Sequence, residues 1–146
     1  MNKPIACDYE TDTLIWLDTQ IELLRARKFD LLDLDNLIDE LDSMAKRDRH
    51  KVAHRLEILI MHLLKYQMQP DHISNSWRGT IYEQRRRLAR KLADMPSLKN
   101  SLDAYILDCY PHAVARAAYE TGLPRSAFPK SNPYSVEQLL DTEFLP

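Results

Sequence analysis

Apolar positions along the chain recur at helical intervals, with little of the strict alternation that marks a half-buried strand. Between Asp12 and Arg27 the residues Leu14, Ile15, Trp16, Leu17, Ile21, Leu23 and Leu24 follow this spacing, and Thr11 or Asp12 can serve as N-cap. The pattern predicts a first helix over roughly residues 12–27. Phe29 to Leu32 reads as a short corner. A second stripe begins with Leu34, Leu37, Ile38, Leu41, Met44 and Ala45 and continues through Val52, Leu56, Leu59, Ile60, Leu63 and Leu64. No Gly or Pro interrupts it before Pro70. One long helix over roughly 35–67 is therefore permitted, spanning about 50 Å at 1.5 Å per residue. The competing reading is a break between Lys46 and His50, where the apolar residues thin out.

Around Leu56 to Leu64 apolar residues surround the helix axis, which predicts a central segment covered on several sides, with Leu59, Ile60, Leu63 and Leu64 buried. Trp77, Ile81, Leu88, Leu92 and Met95 mark a third helix over roughly 75–95, ended by Pro96. Ser97 can cap a fourth over roughly 97–121, with Leu98, Leu102, Tyr105, Ile106, Cys109, Ala113 and Ala117 on one stripe and Gly122 as its stop. Pro111 inside it removes a backbone donor and predicts a kink near Leu107. Beyond Leu123 the chain is Pro-rich and irregular, save for one turn at roughly 135–141 where Ser135 and Gln138 have capping-box spacing. The expectation is a single all-α domain over 1–146: a bundle of four main helices with a long central second helix and an irregular tail.

Composition strengthens that reading. With 146 residues, 45% hydrophobic and 29% charged, the chain is long enough to bury a core and too apolar to be disordered. Only 2 glycines accompany 8 prolines, too few for the turns of a hairpin-rich fold. The two cysteines, Cys7 and Cys109, have neither CxxC spacing nor the density of a disulfide scaffold, and no stretch approaches the roughly 20 apolar residues of a membrane span. A reduced, cytoplasmic setting and no membrane association are expected.

The net charge of −2 favours no partner, but charge is segregated along the chain. Asp8 to Glu22 holds five acids and no base, and Asp30 to Asp42 six acids and no base. Lys46 to Arg55 then holds five bases against one acid, and Arg78 to Lys91 six against one. The ordinary use of such a pattern is internal, with acidic helix ends facing basic neighbours.

Several ordered stretches resemble a bacterial family, frequent in cyanobacteria, known only as domain of unknown function 29. They are Tyr9-Glu10-Thr11-Asp12 with Trp16, Leu34 to Leu41, Met61 to Gln67 with Pro70, Ser76-Trp77-Arg78 with Ile81, Gln84 and Arg85, Pro96-Ser97-Leu98, Glu120 to Pro124, Phe128-Pro129, Pro133-Tyr134, and Gln138 to Asp141. One departure is Tyr66, where the family often carries Trp; an aromatic is kept. The resemblance implies a small all-helical domain and supplies no catalytic residue.

Candidate chemistry rests on a few polar groups. His62 lies in the most apolar segment, as a base or ligand in a cavity or, more ordinarily, a core histidine bonded to a carboxylate or carbonyl. Arg85, four residues after Ile81 and three before Leu88, shares the inward stripe with Trp77, and its guanidinium needs an anion; the acidic run at Asp35, Asp39 and Glu40 is the expected supplier. Lys65, Arg78, Arg85, Arg86 and Arg90 are the candidates for an anion or nucleic-acid site, although the Arg85-Arg86-Arg87 run spans about 200° of a helix and makes no single stripe. His50, His54 and Glu57 share a helical face with metal-ligand types, and Cys109 with His112 could form a thiol–imidazole pair. Flanking bases oppose a cation, and HExxH, Gly-rich phosphate loops and GxSxG are missing. The expected function is a non-catalytic protein-interaction or assembly module without cofactor or metal; the alternative is a binder of nucleic acid or a small anionic ligand through the third helix.

Overall fold

A computed structural model describes residues 8–146, so the expectations for Cys7 lie outside the described residues. These residues are all-α, in the order α1 (Thr13–Arg25), a 3-10 turn at Phe29–Leu31, α2 (Leu34–Met68), a turn at Pro70–His72, α3 (Asn75–Asp94), a 3-10 segment at Pro96–Ser101, α4 (Leu102–Thr121), a turn at Arg125–Ala127 and α5 (Val136–Leu140). The second helix is unbroken over 35 residues, so the alternative of a break at Lys46 to His50 does not hold. The chain divides into two compact units, Met1–Arg47 and Asp48–Pro146, and their boundary falls in that same apolar-poor stretch of α2.

In the first unit Asp12 caps α1 as expected, accepting from the backbone N–H of Leu14 and Ile15 at 3.1 Å each. The helix ends in a Schellman arrangement: Lys28 N–H reaches Leu23 O at 2.9 Å and Arg27 N–H reaches Leu24 O at 3.0 Å. Arg27 consequently takes the left-handed conformation, φ 56°, where glycine is the usual occupant. The corner before α2 is organised by Asp33. Its carboxylate accepts from Trp16 Nε1 at 2.9 Å and Asn36 Nδ2 at 2.8 Å, and its N–H donates to Gln20 Oε1 at 2.8 Å. Those hydrogen bonds hold the Asp33 carboxyl below the usual range, Asn36 first and Trp16 second. Trp16 is buried with Tyr9 edge-on at 4.8 Å, and the Tyr9 hydroxyl donates to Glu40.

The second unit holds a continuous core. From α2 it takes Val52, Leu56, Leu59, Ile60, Met61, Leu63 and Leu64; from α3 Ile81, Leu88 and Leu92; from α4 Leu102, Ile106, Cys109, Ala113 and Ala117. Leu59, Ile60, Leu63 and Leu64 are wholly inaccessible, as the apolar surround predicts. The fourth helix starts later than Ser97: Pro96 lacks an N–H and opens a 3-10 segment anchored by buried Leu98, and only from Leu102 does the chain relax to α geometry. Pro111 sits on the exposed side of α4, where the Leu107 carbonyl that it leaves unpaired can be hydrated. Gly122 closes the helix at φ 74°, its N–H on Ala118 O at 2.9 Å.

The tail is irregular but pinned. Tyr110 Oη donates to Pro129 O at 2.5 Å, Tyr134 Oη to Gln67 Oε1 at 2.8 Å, and Phe128, Tyr134 and Leu139 enter the core. The Ser135–Gln138 capping box forms as its spacing predicts.

Candidate functional site

Arg85 is inward, 2% exposed, as its place on the α3 stripe requires. Its partners differ from the expected carboxylates of the Asp33 to Asp42 run. Nε donates to Leu139 O at 2.9 Å, Nη2 to Gln138 O at 3.0 Å and Nη1 to Phe144 O at 2.7 Å. The physical reason is that a five-residue helix ends beside it: the last carbonyls of α5 have no intrahelical donor and carry the negative end of the helix dipole, which a guanidinium fork satisfies. Arg85 is thus committed to holding the tail on α3. Burial lowers its pKa, and Asp141 works against that.

Lys65, on the last turn of α2, is likewise buried. Its Nζ pairs with Glu120 Oε2 at 2.5 Å and lies 4.5 Å from the centroid of the half-buried Trp77 ring. Hydrogen bonding to Lys65 holds the Glu120 carboxyl below its ordinary value. Nearby, His62 Nδ1 lies 2.9 Å from Ile58 O, the core-histidine arrangement, and burial pushes its pKa down. Among the described residues no buried side-chain nitrogen or oxygen lacks a partner, so this polar cluster is closed. The pairing of Glu120 with Lys65 is not legible in the sequence, because nothing local marks an acid at a helix end as the mate of a lysine 55 residues away.

The metal candidates are not brought together. His50 and His54 are exposed, and Glu57 pairs with Arg116 at 3.3 Å. Among the described residues no group of three His, Cys, Asp or Glu is placed to hold a metal. Cys109 is buried with its thiol pushed up to about 12, chiefly by burial, while His112 is exposed, so the two do not make a reactive pair.

Of the five anion candidates the structure gathers two. Arg86 and Arg90 join Arg87, Lys91 and Asp94 of α3 and Lys51 and Arg55 of α2 around an open depression of about 370 Å³. Arg78 is exposed elsewhere on α3, and Lys65 and Arg85 are committed inside. Two carboxylates temper the rim. Glu83 accepts from Arg86 and Arg87 and is held down at about 2 by those bonds, and Asp48 pairs with Lys91 at 2.5 Å. Arg55 meets a neutral partner, Gln84 Oε1 at 3.4 Å, and its pKa is lowered by burial first and by neighbouring Arg87 second. Both basic runs are visible in the sequence; that α2 and α3 set Lys51 and Arg55 against Arg87 is not.

The first unit leaves much of its apolar periodicity uncovered. Leu34, Ile38, Leu41 and Met44, which open the apolar stripe of α2, are 58%, 60%, 63% and 53% exposed. On α1, Leu14, Ile15, Ile21 and Leu24 are exposed as well, and an open groove of about 470 Å³ runs past Ile15, Asp18, Thr19, Glu22 and Leu23. Periodicity identifies an apolar face and is silent on what covers it. No helix of the described residues is long and apolar enough to cross a membrane.

The family model described as Domain of unknown function DUF29 matches residues 9–145. No curated protein and no solved structure matches the chain.

Proposed function

The chain belongs to the DUF29 family, and from that premise we propose that it is a non-catalytic protein-interaction module whose contact surface lies in the first unit. The observation that carries this reading is the exposed stripe Leu34, Ile38, Leu41 and Met44 on α2, spaced i, i+4, i+7, i+10, the pattern by which helices dock on one another. Exposed apolar faces of this kind mark interaction surfaces. Between Asp8 and Arg47 lie eleven acidic and five basic residues, so the stripe is flanked by Asp35, Asp39, Glu40 and Asp42. An isologous pairing of two copies would set these acids against themselves. The fitting occupant is an amphipathic helix of another protein, apolar on one side and basic along its flanks.

The test is co-isolation from the native host after crosslinking, with wild type and an Ile38→Asp, Leu41→Asp variant whose circular dichroism matches wild type. The expected result is a partner lost in the variant and crosslinked through a basic, amphipathic helical segment. A partner retained by the variant, no partner at all, or a self-association that the variant abolishes would each overturn the reading.

A further inference from the structure

The depression between α2 and α3 in the second unit is a feature that the interaction reading leaves unused. Six cations line it, and the carboxylates at hand are fewer: Asp94 on the rim, Glu83 shared by two guanidiniums, and Asp48 engaged with Lys91. Folding therefore brings like charges together across two helices. Arg55 faces Arg87 with a neutral amide as its own hydrogen-bond partner, and the carboxylate that acts on it, Glu83, is already bonded to Arg86 and Arg87, so an anion seated between Arg55 and Arg87 would add compensation that this one acid divides among three guanidiniums. Arginines dominate the set, and their planar forks bond the oxygens of a phosphate group bidentately.

The lining also restricts the ligand. None of the lining residues is aromatic or aliphatic, so there is no platform for a nucleobase and no slot for an apolar group. At about 370 Å³ the depression is of small-ligand size, well short of the extended track along which a protein neutralises a nucleic-acid backbone. We infer that Lys51, Arg55, Arg86, Arg87 and Arg90 form a binding site for a compact oligophosphate chain, either free or as the tail of a nucleotide. Recognition is by phosphate alone, so the nucleoside of a nucleotide stays in solvent.

Isothermal titration calorimetry with sodium tripolyphosphate tests this on the full chain, with ATP and a short DNA duplex as parallel arms. Tripolyphosphate is expected to bind near one per chain, to weaken steeply as salt rises from about 50 to about 200 mM, and to be matched by ATP within a few fold. Arg55→Gln and Arg87→Gln should each lower affinity by about tenfold. Arg116→Gln, which removes a cation paired with Glu57 and outside the lining, should leave it unchanged. Melting curves accompany each variant, and should either arginine variant fail to fold, exposed Lys51→Gln provides the same comparison. ATP binding far tighter than tripolyphosphate would show that a base is read. Duplex DNA that tripolyphosphate cannot displace would identify a nucleic-acid surface. Either result, no binding, or equal losses at Arg116 would overturn the inference.

Discussion

Replacing Arg85 by alanine should detach the C-terminal tail before it unfolds anything else. The side chain is 2% exposed and donates three hydrogen bonds to main-chain oxygens of Gln138, Leu139 and Phe144. A hydrogen bond to a charged group contributes about 1.5–3 kcal/mol, while burying the guanidinium costs several kcal/mol, so the net value of the intact contact is modest. Truncation is another matter: it removes the donor and strands three main-chain acceptors, and a buried carbonyl left without a partner costs about 1–3 kcal/mol. Arg86→Ala deletes an exposed pair with Glu83 and should cost less than about 1 kcal/mol. With a urea slope of roughly 2 kcal/mol per M, the two variants should differ in midpoint by about 2 M. Arg85→Lys, which keeps the charge and loses the fork, should fall between them. Chymotrypsin should cut after Leu140 and Phe144 sooner in Arg85→Ala than in wild type, because both lie in the segment whose Gln138, Leu139 and Phe144 carbonyls the guanidinium holds. Equal urea midpoints for Arg85→Ala and Arg86→Ala, or unchanged cleavage of the tail, would refute the assignment of Arg85 as the clasp of α5.

Three further outcomes are expected. Leu63, wholly inaccessible at the centre of the core, should lose about 2–5 kcal/mol as Leu63→Ala in the same urea assay, the upper end applying if the cavity does not collapse. Arg27→Gly should raise stability by about 0.5–1 kcal/mol in thermal melts, since glycine relieves the left-handed strain at φ 56° by more than it adds to unfolded-chain entropy. His62, whose pKa burial lowers from 6.5, stabilises the fold as the neutral ring: that contribution is complete above pH 6.5 and is lost as pH falls through the depressed folded value, because the unfolded chain takes up the proton first. An NMR titration midpoint at or above 6.5 for His62, or a stability–pH slope between pH 6.5 and 5 that His62→Gln leaves unaltered, would contradict this.

What the sequence by itself determined is the part of the protein governed by local energetics. Helical periodicity, the Asp12 and Ser135 caps, the Gly122 stop and the all-round apolar segment at Leu56 to Leu64 each act within a turn or two of the chain, and each is realised. Even the inward aim of Arg85 was legible, since Ile81 and Leu88 fix the face on which it lies. Its partners were not. A guanidinium needs acceptors and is indifferent to whether they are carboxylates or helix-end carbonyls, so only the docking of α5 against α3 decided that Gln138, Leu139 and Phe144 meet it. Lys65 found Glu120, and Lys51 and Arg55 came to face Arg87, through the same long-range packing. The apolar stripe of Leu34, Ile38 and Leu41 shows the limit most clearly: the hydrophobic effect requires that such a face be removed from water, yet spacing along one helix does not specify which surface removes it.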